Sequence, residues 1–365
     1  MVPLPMALTP APLLLNLAVL SPKPTGISVY ARQVVPHLRD LQPLVLSAQP
    51  WPDLDRRSIP ANLTPAQGSR GHLQRLLWTQ FCLPQIYRQH RSTLIFSPLP
   101  EIPLGWGCRS VAMVHDLIPL RFPQRRSALT LYFRQVVPWV LRQAVHLLCN
   151  SQATALDVIR RFRIPEHKIT PIPLAYDAQH FRPLGLPRRN YFLYVGRPDP
   201  HKNVERIIRA FALVPGEREL WLVGGYDRRY TPQLQGLGVA LGLGDRLRFL
   251  DYVPHGDLPR LYGQALALVF PSLWEGFGLP VLEAMACGTP VITSNGSALP
   301  EVAGDAALLV DPYGVGDIAA AMGAIADDQG LAPQLTAAGL AQVQRFSWQK
   351  TGAATAQILG DLLGR

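Results

Sequence analysis

Two glutamates in the segment WEGFGLPVLEAMACGTPV, residues 274–291, are the first groups in this chain that could do chemistry. Glu275 and Glu283 are separated by seven residues that begin Gly276, Phe277, Gly278, Leu279, Pro280. A glycine inside a helix costs roughly 1 kcal/mol against alanine, so Gly276 and Gly278 predict a loop. Pro280 suits a first helical turn, where its missing N–H is not needed. The spacing therefore predicts Glu275 in the loop, Glu283 in the first turns of the next helix, and free N–H groups at that helix start. Two carboxylates beside an anion-favouring helix end suit hydroxyl groups that neighbour a phosphate.

A phosphate needs cations, and YFLYVGRPDPHKNVERIIRAF supplies two ahead of its helix. An apolar strand there runs into Gly196 and Arg197, a turn with Pro198, Asp199 and Pro200, then Lys202, Asn203 and a helix. Arg197 and Lys202 flank a loop beyond a strand end, where charge-assisted bonds could hold a diphosphate, and Asn203 suits an N-cap. The spacing is neither a dinucleotide fingerprint nor a P-loop. Loop cations of this kind are expected to add little to stability. Earlier in the chain, SPKPTGISVY places Gly26 in a strand-to-helix turn, where backbone N–H groups can approach a phosphate. VAMVHDLIPLRFP puts His115 and Asp116 at a strand end; no further His/Asp cluster follows, so no metal site is expected. The one Asp-x-Asp, residues 53–55, has no strand leading into it and is not read as a metal-binding sugar-nucleotide motif.

These residues need a scaffold that presents loops. Apolar runs alternate with helical stretches throughout: LLLNLAVL, PLVLSA, TLIFSP, SVAMVHD, VHLLCNS and KITPIPLA, then YFLYVG, LWLVGG, RLRFLDYV, LALVFPS, PVITSN and AALLVDP. Continuous apolar strands between helices predict parallel sheets covered on both faces. FRPLGLPRRN, residues 181–190, interrupts the pattern as a linker. A chain of 365 residues, 48% hydrophobic, suits two such domains, and they bind ligands beyond the C-terminal ends of their strands. The expected division is 1–183, 184–346, and a terminal helix 347–365 crossing back to the first domain.

Charge is uneven. Residues 1–185 hold 20 Lys and Arg against 8 Asp and Glu, while the rest holds 15 against 17. The basic half fits a solvated surface, an anionic membrane or an anionic acceptor; no nucleic-acid motif accompanies it. Two segments, 70–91 and 121–143, mix Arg with Trp, Phe, Tyr and Leu at near-helical spacing, the composition of an interfacial helix. Arg70, Arg75, Arg88 and Arg91 are the expected contact cations. The apolar run APLLLNLAVL is too short for a bilayer and is read as a first strand, not a leader, since no Lys or Arg precedes Lys23. Cys82, Cys108, Cys149 and Cys287 show no paired spacing, which suits reduced thiols in a cytosol.

GRPDPHKN, PSLWEGFGLPVLEAMACGTPVI, ALPEVAGDAALLVDP and VHDLIPLRFP together closely resemble the retaining glycosyltransferases of family 4, with the GT-B fold. The resemblance runs from TGISVYARQ to FSWQKTGAATAQIL, and its specific part is the paired-glutamate block. It implies two doubly wound, Rossmann-like α/β domains facing a central cleft, the first binding acceptor and the second nucleotide sugar. It implies that Glu275 lies by the donor sugar hydroxyls and Glu283 by the nucleotide ribose. Gly276, Phe277, Gly278 and Leu279 belong to the same donor-binding stretch, Gly196, Arg197 and Lys202 to the diphosphate, and His115 lies near the transferred sugar. His115, Arg197, Lys202 and Glu275 are thus the implied catalytic set, and Gly26 an implied donor contact. Many members carry two glycines where this chain has Thr25-Gly26.

The implied activity is metal-independent, retaining transfer of a hexose, with GDP-mannose the favoured donor, no cofactor, and a glycan or lipid-linked acceptor. The implied location is the cytoplasm or the cytoplasmic face of an inner membrane, held peripherally. A sugar-nucleotide-binding protein without turnover, or a GT-B epimerase or phosphorylase, would use the same residues.

Overall fold

The computed structural model describes residues 11–21, 26–124 and 127–364. Residues 1–10 and Lys23, on which the reading of the N-terminal run partly rests, lie outside the described residues, as do Thr25, Arg125 and Arg126. The chain forms two compact units, one running to Pro173 and taking in Trp348 onward, the other spanning Leu174–Ser347.

The first unit carries a sheet in the order β3-β2-β1-β4-β5-β6-β7. Its strands are β1 (Leu13–Asn16), β2 (Leu44–Ser47), β3 (Arg56–Ser58), β4 (Leu94–Ser97), β5 (Ser110–Val114), β6 (His146–Cys149) and β7 (Ile169–Pro171). All of the pairings are parallel. Leu14 and Leu15 on β1, and Ala112 and Met113 on β5, are all fully buried, so both faces are covered, as uninterrupted apolar runs require. β3 was not legible: its Arg-Arg-Ser sequence has no apolar signal, and the strand exists because its backbone pairs with the open edge of β2.

Prolines divide what periodicity reads as single helices. ISVYARQVVPHLRDL becomes an α-helix, Gly26–Val34, followed by a 3₁₀ segment, Val35–Leu41, that has Pro36 in its first turn. Likewise Ala128–Gln135 gives way to Val137–Gln143 just before Pro138, and Gly68–Phe81 to Leu83–Gln89 just before Pro84. The terminal helix Trp348–Leu363 packs within the first unit. Thr351 Oγ1 donates to the Pro173 carbonyl at 2.7 Å and Arg109 Nη2 donates to the Leu362 carbonyl at 3.0 Å. Gly352 permits that approach, because a Cβ there would collide with the ring of His37.

The second unit's sheet runs β10-β9-β8-β11-β12-β13, again all parallel. The strands are β8 (Tyr191–Val195), β9 (Glu219–Val223), β10 (Leu247–Leu250), β11 (Ala267–Phe270), β12 (Val291–Ser294) and β13 (Leu308–Val310). Counted within the unit this is the doubly wound order 3-2-1-4-5-6, whose direction reverses between β8 and β11. The segment after Pro173, expected in the first domain as far as residue 183, belongs to this unit. Phe181 is buried against His255 at 5.4 Å and Tyr262 at 6.0 Å, and apolar burial draws the boundary back to Pro173.

Candidate active site

The chain reverses its winding between β8 and β11, and the crevice beyond those two strand ends is where doubly wound sheets bind ligands. Gly196, Arg197 and Lys202 follow β8, and the Glu275 loop follows β11. The two loops are tied together by the Leu273 N–H, which donates to the His201 carbonyl at 2.7 Å.

Lys202 Nζ lies 2.6 Å from Oε1 and 2.8 Å from Oε2 of Glu275, and 5.1 Å from the Phe270 ring centre. The Lys202 side chain is 19% exposed and that of Glu275 9%, so this is a largely desolvated pair and not a solvated loop cation. The backbone N–H of Glu275 donates to Ser297 Oγ at 3.2 Å. Asn203 occupies the expected N-cap position of the helix Val204–Ala212, but in a left-handed conformation, φ 64°, and its side chain makes no cap. Instead its Nδ2 donates to the carbonyls of Pro271 at 2.9 Å and Pro312 at 2.6 Å, riveting the β8 loop to its neighbours.

Arg197 points outward, its side chain 77% exposed, with Nη2 3.0 Å from Oδ2 of the buried Asp199. Arg229 reaches Asp199 Oδ1 at 4.0 Å and Asp227 Oδ2 at 2.7 Å, so Asp199 stands between two cations at the mouth of the loop. Tyr194 Oη donates to the Arg197 carbonyl at 2.8 Å.

Two glycines are required by this geometry. Gly196 sits at φ 152°, and a Cβ there would meet Tyr194 Oη at 2.9 Å; Gly278, the N-cap of the helix Leu279–Ala286, sits at φ 126°, where a Cβ would meet Leu299 Cδ2 at 2.7 Å. Gly276 and Phe277 are buried in the loop between and Leu279 is half-buried, with Phe277 edge-on to Phe346 at 6.0 Å. Pro280 lies in the first helical turn, as its type requires.

Glu283 stands one turn into that helix. Its Oε2 accepts a hydrogen bond from Tyr262 Oη at 2.9 Å. Burial pushes the Glu283 carboxyl up to about 7, and the Tyr262 hydrogen bond opposes that rise.

His115 and Gly26 belong to the first unit. His115 follows β5; its Nε2 donates to the Pro98 carbonyl at 3.0 Å and its ring meets Tyr30 edge-on at 5.2 Å. Burial holds the imidazole down at about 4, so it is neutral at pH 7 with Nδ1 left as an acceptor. Gly26 opens the helix Gly26–Val34 and is exposed, and a Cβ there would meet nothing within 4 Å, so sterics give no reason for glycine at that position.

Arg75 is a correction. Expected as a surface cation, it is buried, with Nε 2.6 Å from Oε2 and Nη2 2.8 Å from Oε1 of Glu101, and Nη1 donating to the Leu63 carbonyl at 3.0 Å. Arg70 is exposed as expected, and the near-helical spacing of the segment did not distinguish the two. Arg88 stacks over Trp106 at 5.3 Å. The residues that sequence reasoning passed over are Asp199, Ser297 and Tyr262. Asp199 was visible in the loop motif, whereas Ser297 and Tyr262 reach their partners only through the fold. Among the described residues no three His, Cys, Asp or Glu side chains converge as metal ligands.

Fold and site together define a GT-B glycosyltransferase. A family model described as Glycosyltransferase Family 4 matches residues 24–180, and one described as Glycosyl transferases group 1 matches residues 177–341. The chain is 35% identical over 262 residues to O-antigen chain mannosyltransferase B of Escherichia coli, covering 66% of this chain and 67% of that protein. Other curated mannosyltransferases are matched over 33% and 56% of their length. Among solved structures, a sucrose-phosphate synthase from Thermosynechococcus elongatus superposes with a TM-score of 0.76 at 23% identity, covering 96% of this chain and 98% of that one. HepE of Anabaena, solved with UDP and glucose, gives 0.74 at 21% identity over 96% and 99%. The chain belongs to glycosyltransferase family 4.

Proposed function

We propose that this protein moves a mannosyl group from a nucleotide-diphosphate mannose to a glycan or lipid-linked acceptor, with retention of configuration and without a metal ion. The observation that carries the reading is the Lys202–Glu275 pair beside exposed Arg197, at the point where the sheet's winding reverses. The donor's C1–O bond lengthens as negative charge collects on the leaving diphosphate. Lys202 and Arg197 supply the positive charge that receives it, preorganised by Glu275 and Asp199. Glu275 accepts hydrogen bonds from the sugar hydroxyls. The acceptor oxygen forms its bond to C1 on the face the diphosphate leaves, and its proton passes to a diphosphate oxygen, so no protein nucleophile is needed. Neutral His115 offers Nδ1 as an acceptor to a sugar hydroxyl. The names of the curated relatives support mannose as the sugar.

The test is to incubate the protein with GDP-mannose, and separately with UDP-hexoses, in EDTA, and to read the anomeric configuration of the product by NMR. An inverted product, or turnover appearing only with added Mn²⁺ or Mg²⁺, would overturn the reading.

The same reading includes contact with an anionic membrane. Leu73, Leu77 and Phe81 recur every fourth residue along the helix Gly68–Phe81 and are 58%, 50% and 57% exposed. Trp139, Leu129 and Leu131 are exposed on the helices Ala128–Gln135 and Val137–Gln143, and none of these three helices contains Asp or Glu. An apolar stripe with Arg70 and no carboxylates fits an interfacial helix on acidic lipid. No helix among the described residues is long and apolar enough to cross a membrane.

A further inference from the structure

Glu283 has a partner that the paired-glutamate pattern does not contain. We infer that Tyr262 is a positioning residue for donor binding: its hydroxyl donates to one oxygen of the Glu283 carboxylate and holds that carboxylate ready to accept from the nucleotide ribose. The inference rests on the reading that Glu283 receives the ribose.

Tyr262 is fully buried, and its surroundings fix it. Its carbonyl accepts from Thr289 Oγ1 at 2.7 Å, Tyr191 Oη donates to the carbonyl of the preceding Leu261 at 2.7 Å, and Phe181 packs against its ring at 6.0 Å. Its hydroxyl is therefore delivered to Glu283 Oε2 at 2.9 Å by the helix Leu258–Gln264, independently of the helix that carries the glutamate. Among the described residues Glu283 has no ion-pair partner. Among the described residues the titratable groups around it are Tyr262 from the facing helix, Cys287 at the end of its own helix, and, beyond Cys287 on the segment that opens the unit, Tyr176 and Arg182, whose backbone meets the Cys287 thiol while its side chain is exposed. The Cys287 thiol is pushed up to about 12 and stays neutral. No cation opposes the burial that disfavours the charged carboxylate, and a hydrogen bond from Tyr262 is what opposes it.

That matters for the ligand. A ribose presents two adjacent hydroxyl donors. A carboxylate accepts from both, whereas a protonated carboxyl has given up an acceptor site to its own proton. Nucleotide affinity then follows the ionised fraction of Glu283, and Tyr262 sets where on the pH scale that fraction rises.

The experiment measures UDP and GDP binding by calorimetry from pH 5.5 to 9, in the wild type, Tyr262→Phe and Glu283→Gln. Wild-type affinity should rise through a midpoint near neutrality. Tyr262→Phe should move that midpoint up by about one unit, which is about fivefold weaker binding at pH 7 with recovery by pH 9. Loss of mere packing would weaken binding equally at every pH, and that result, or an unmoved midpoint, overturns the inference. Glu283→Gln should remove the midpoint, leaving only the ionisation of the diphosphate itself. If Glu283→Gln binds like the wild type throughout, the ribose reading fails; if it binds weakly while Tyr262→Phe keeps the wild-type midpoint, only the role of Tyr262 fails. Should Tyr262→Phe not fold, wild-type protein made with 3-fluorotyrosine gives the same test. Its more acidic hydroxyls donate more strongly, and the midpoint should fall; an unchanged midpoint overturns the inference.

Discussion

Lys202 Nζ is within 2.8 Å of both carboxylate oxygens of Glu275, although 73 residues separate the two in the chain. Each comes from a glycine- or proline-rich loop, and each would cost free energy to bury alone. Together, at the ends of adjacent parallel strands β8 and β11, they form a desolvated pair whose cation can serve a phosphate and whose carboxylate can serve a sugar.

Lys202→Ala and Arg197→Ala should each lower turnover by roughly 10²–10³-fold, the scale for removing one transition-state charge partner. They should differ in stability. Arg197 is exposed, so its loss should leave Tm within a degree or so. Lys202→Ala leaves Glu275 buried and unpaired and should cost about 1–3 kcal/mol, correcting the expectation that both loop cations are dispensable to the fold. Thermal melts alongside single-turnover rates check both; equal melting of the two variants would contradict the pairing.

Glu283→Gln should weaken binding of the sugar-free nucleotide diphosphate, and Glu275→Gln should spare it while slowing transfer. Calorimetry with UDP and GDP, set against transfer rates, decides the assignment, and the opposite pattern reverses it.

Glu283 also predicts a pH dependence of stability. Its folded-state carboxyl is raised from 4.5 to about 7, so the folded protein holds this proton more tightly than the unfolded chain. The stabilisation is fully present below about pH 4.5 and is lost as pH rises through 7. Ligand-free Glu283→Gln should therefore melt a few degrees above the wild type at pH 8 and close to it at pH 5. His115 acts with the opposite sign on the acid side. Its imidazole is lowered from 6.5 to about 4, so its contribution is present above pH 6.5 and lost as pH falls through 4. His115→Gln should flatten that acid limb in a pH series of melts.

Binding to anionic liposomes should weaken as salt rises, and neutral liposomes should bind poorly. Leu73→Gln, Leu77→Gln and Phe81→Gln together should reduce it with little change in Tm, since all three side chains are already exposed. Arg75→Gln should instead destabilise the first unit by about 3–5 kcal/mol, because Glu101 would be left buried without its cation. Sedimentation with vesicles and thermal melts separate these outcomes; equal partitioning onto neutral and anionic vesicles would remove the membrane role.

The alternation of apolar runs with helical stretches was enough to place twelve of the thirteen strands, because the inner strands are buried on both faces and must be largely apolar, and the edge strands β7, β10 and β13 lie within apolar runs of their own. β3 escaped because an edge strand can form by backbone pairing alone, with exposed arginines. The same local logic placed Glu275 in a loop and Glu283 in the helix after it, since Gly276, Gly278 and Pro280 state their backbone preferences in their own residue types. What no local pattern contains is a partner. That Lys202 meets Glu275, Tyr262 meets Glu283, Asn203 rivets two neighbouring loops instead of capping a helix, and Arg75 turns inward to Glu101 are consequences of strand order and helix docking. Residue type and periodicity act over a few positions, whereas these contacts join segments brought side by side only when the sheets form. The chain by itself therefore determined which chemical groups are available and which loops present them, and tertiary packing decided which of those groups are paired, buried and held neutral.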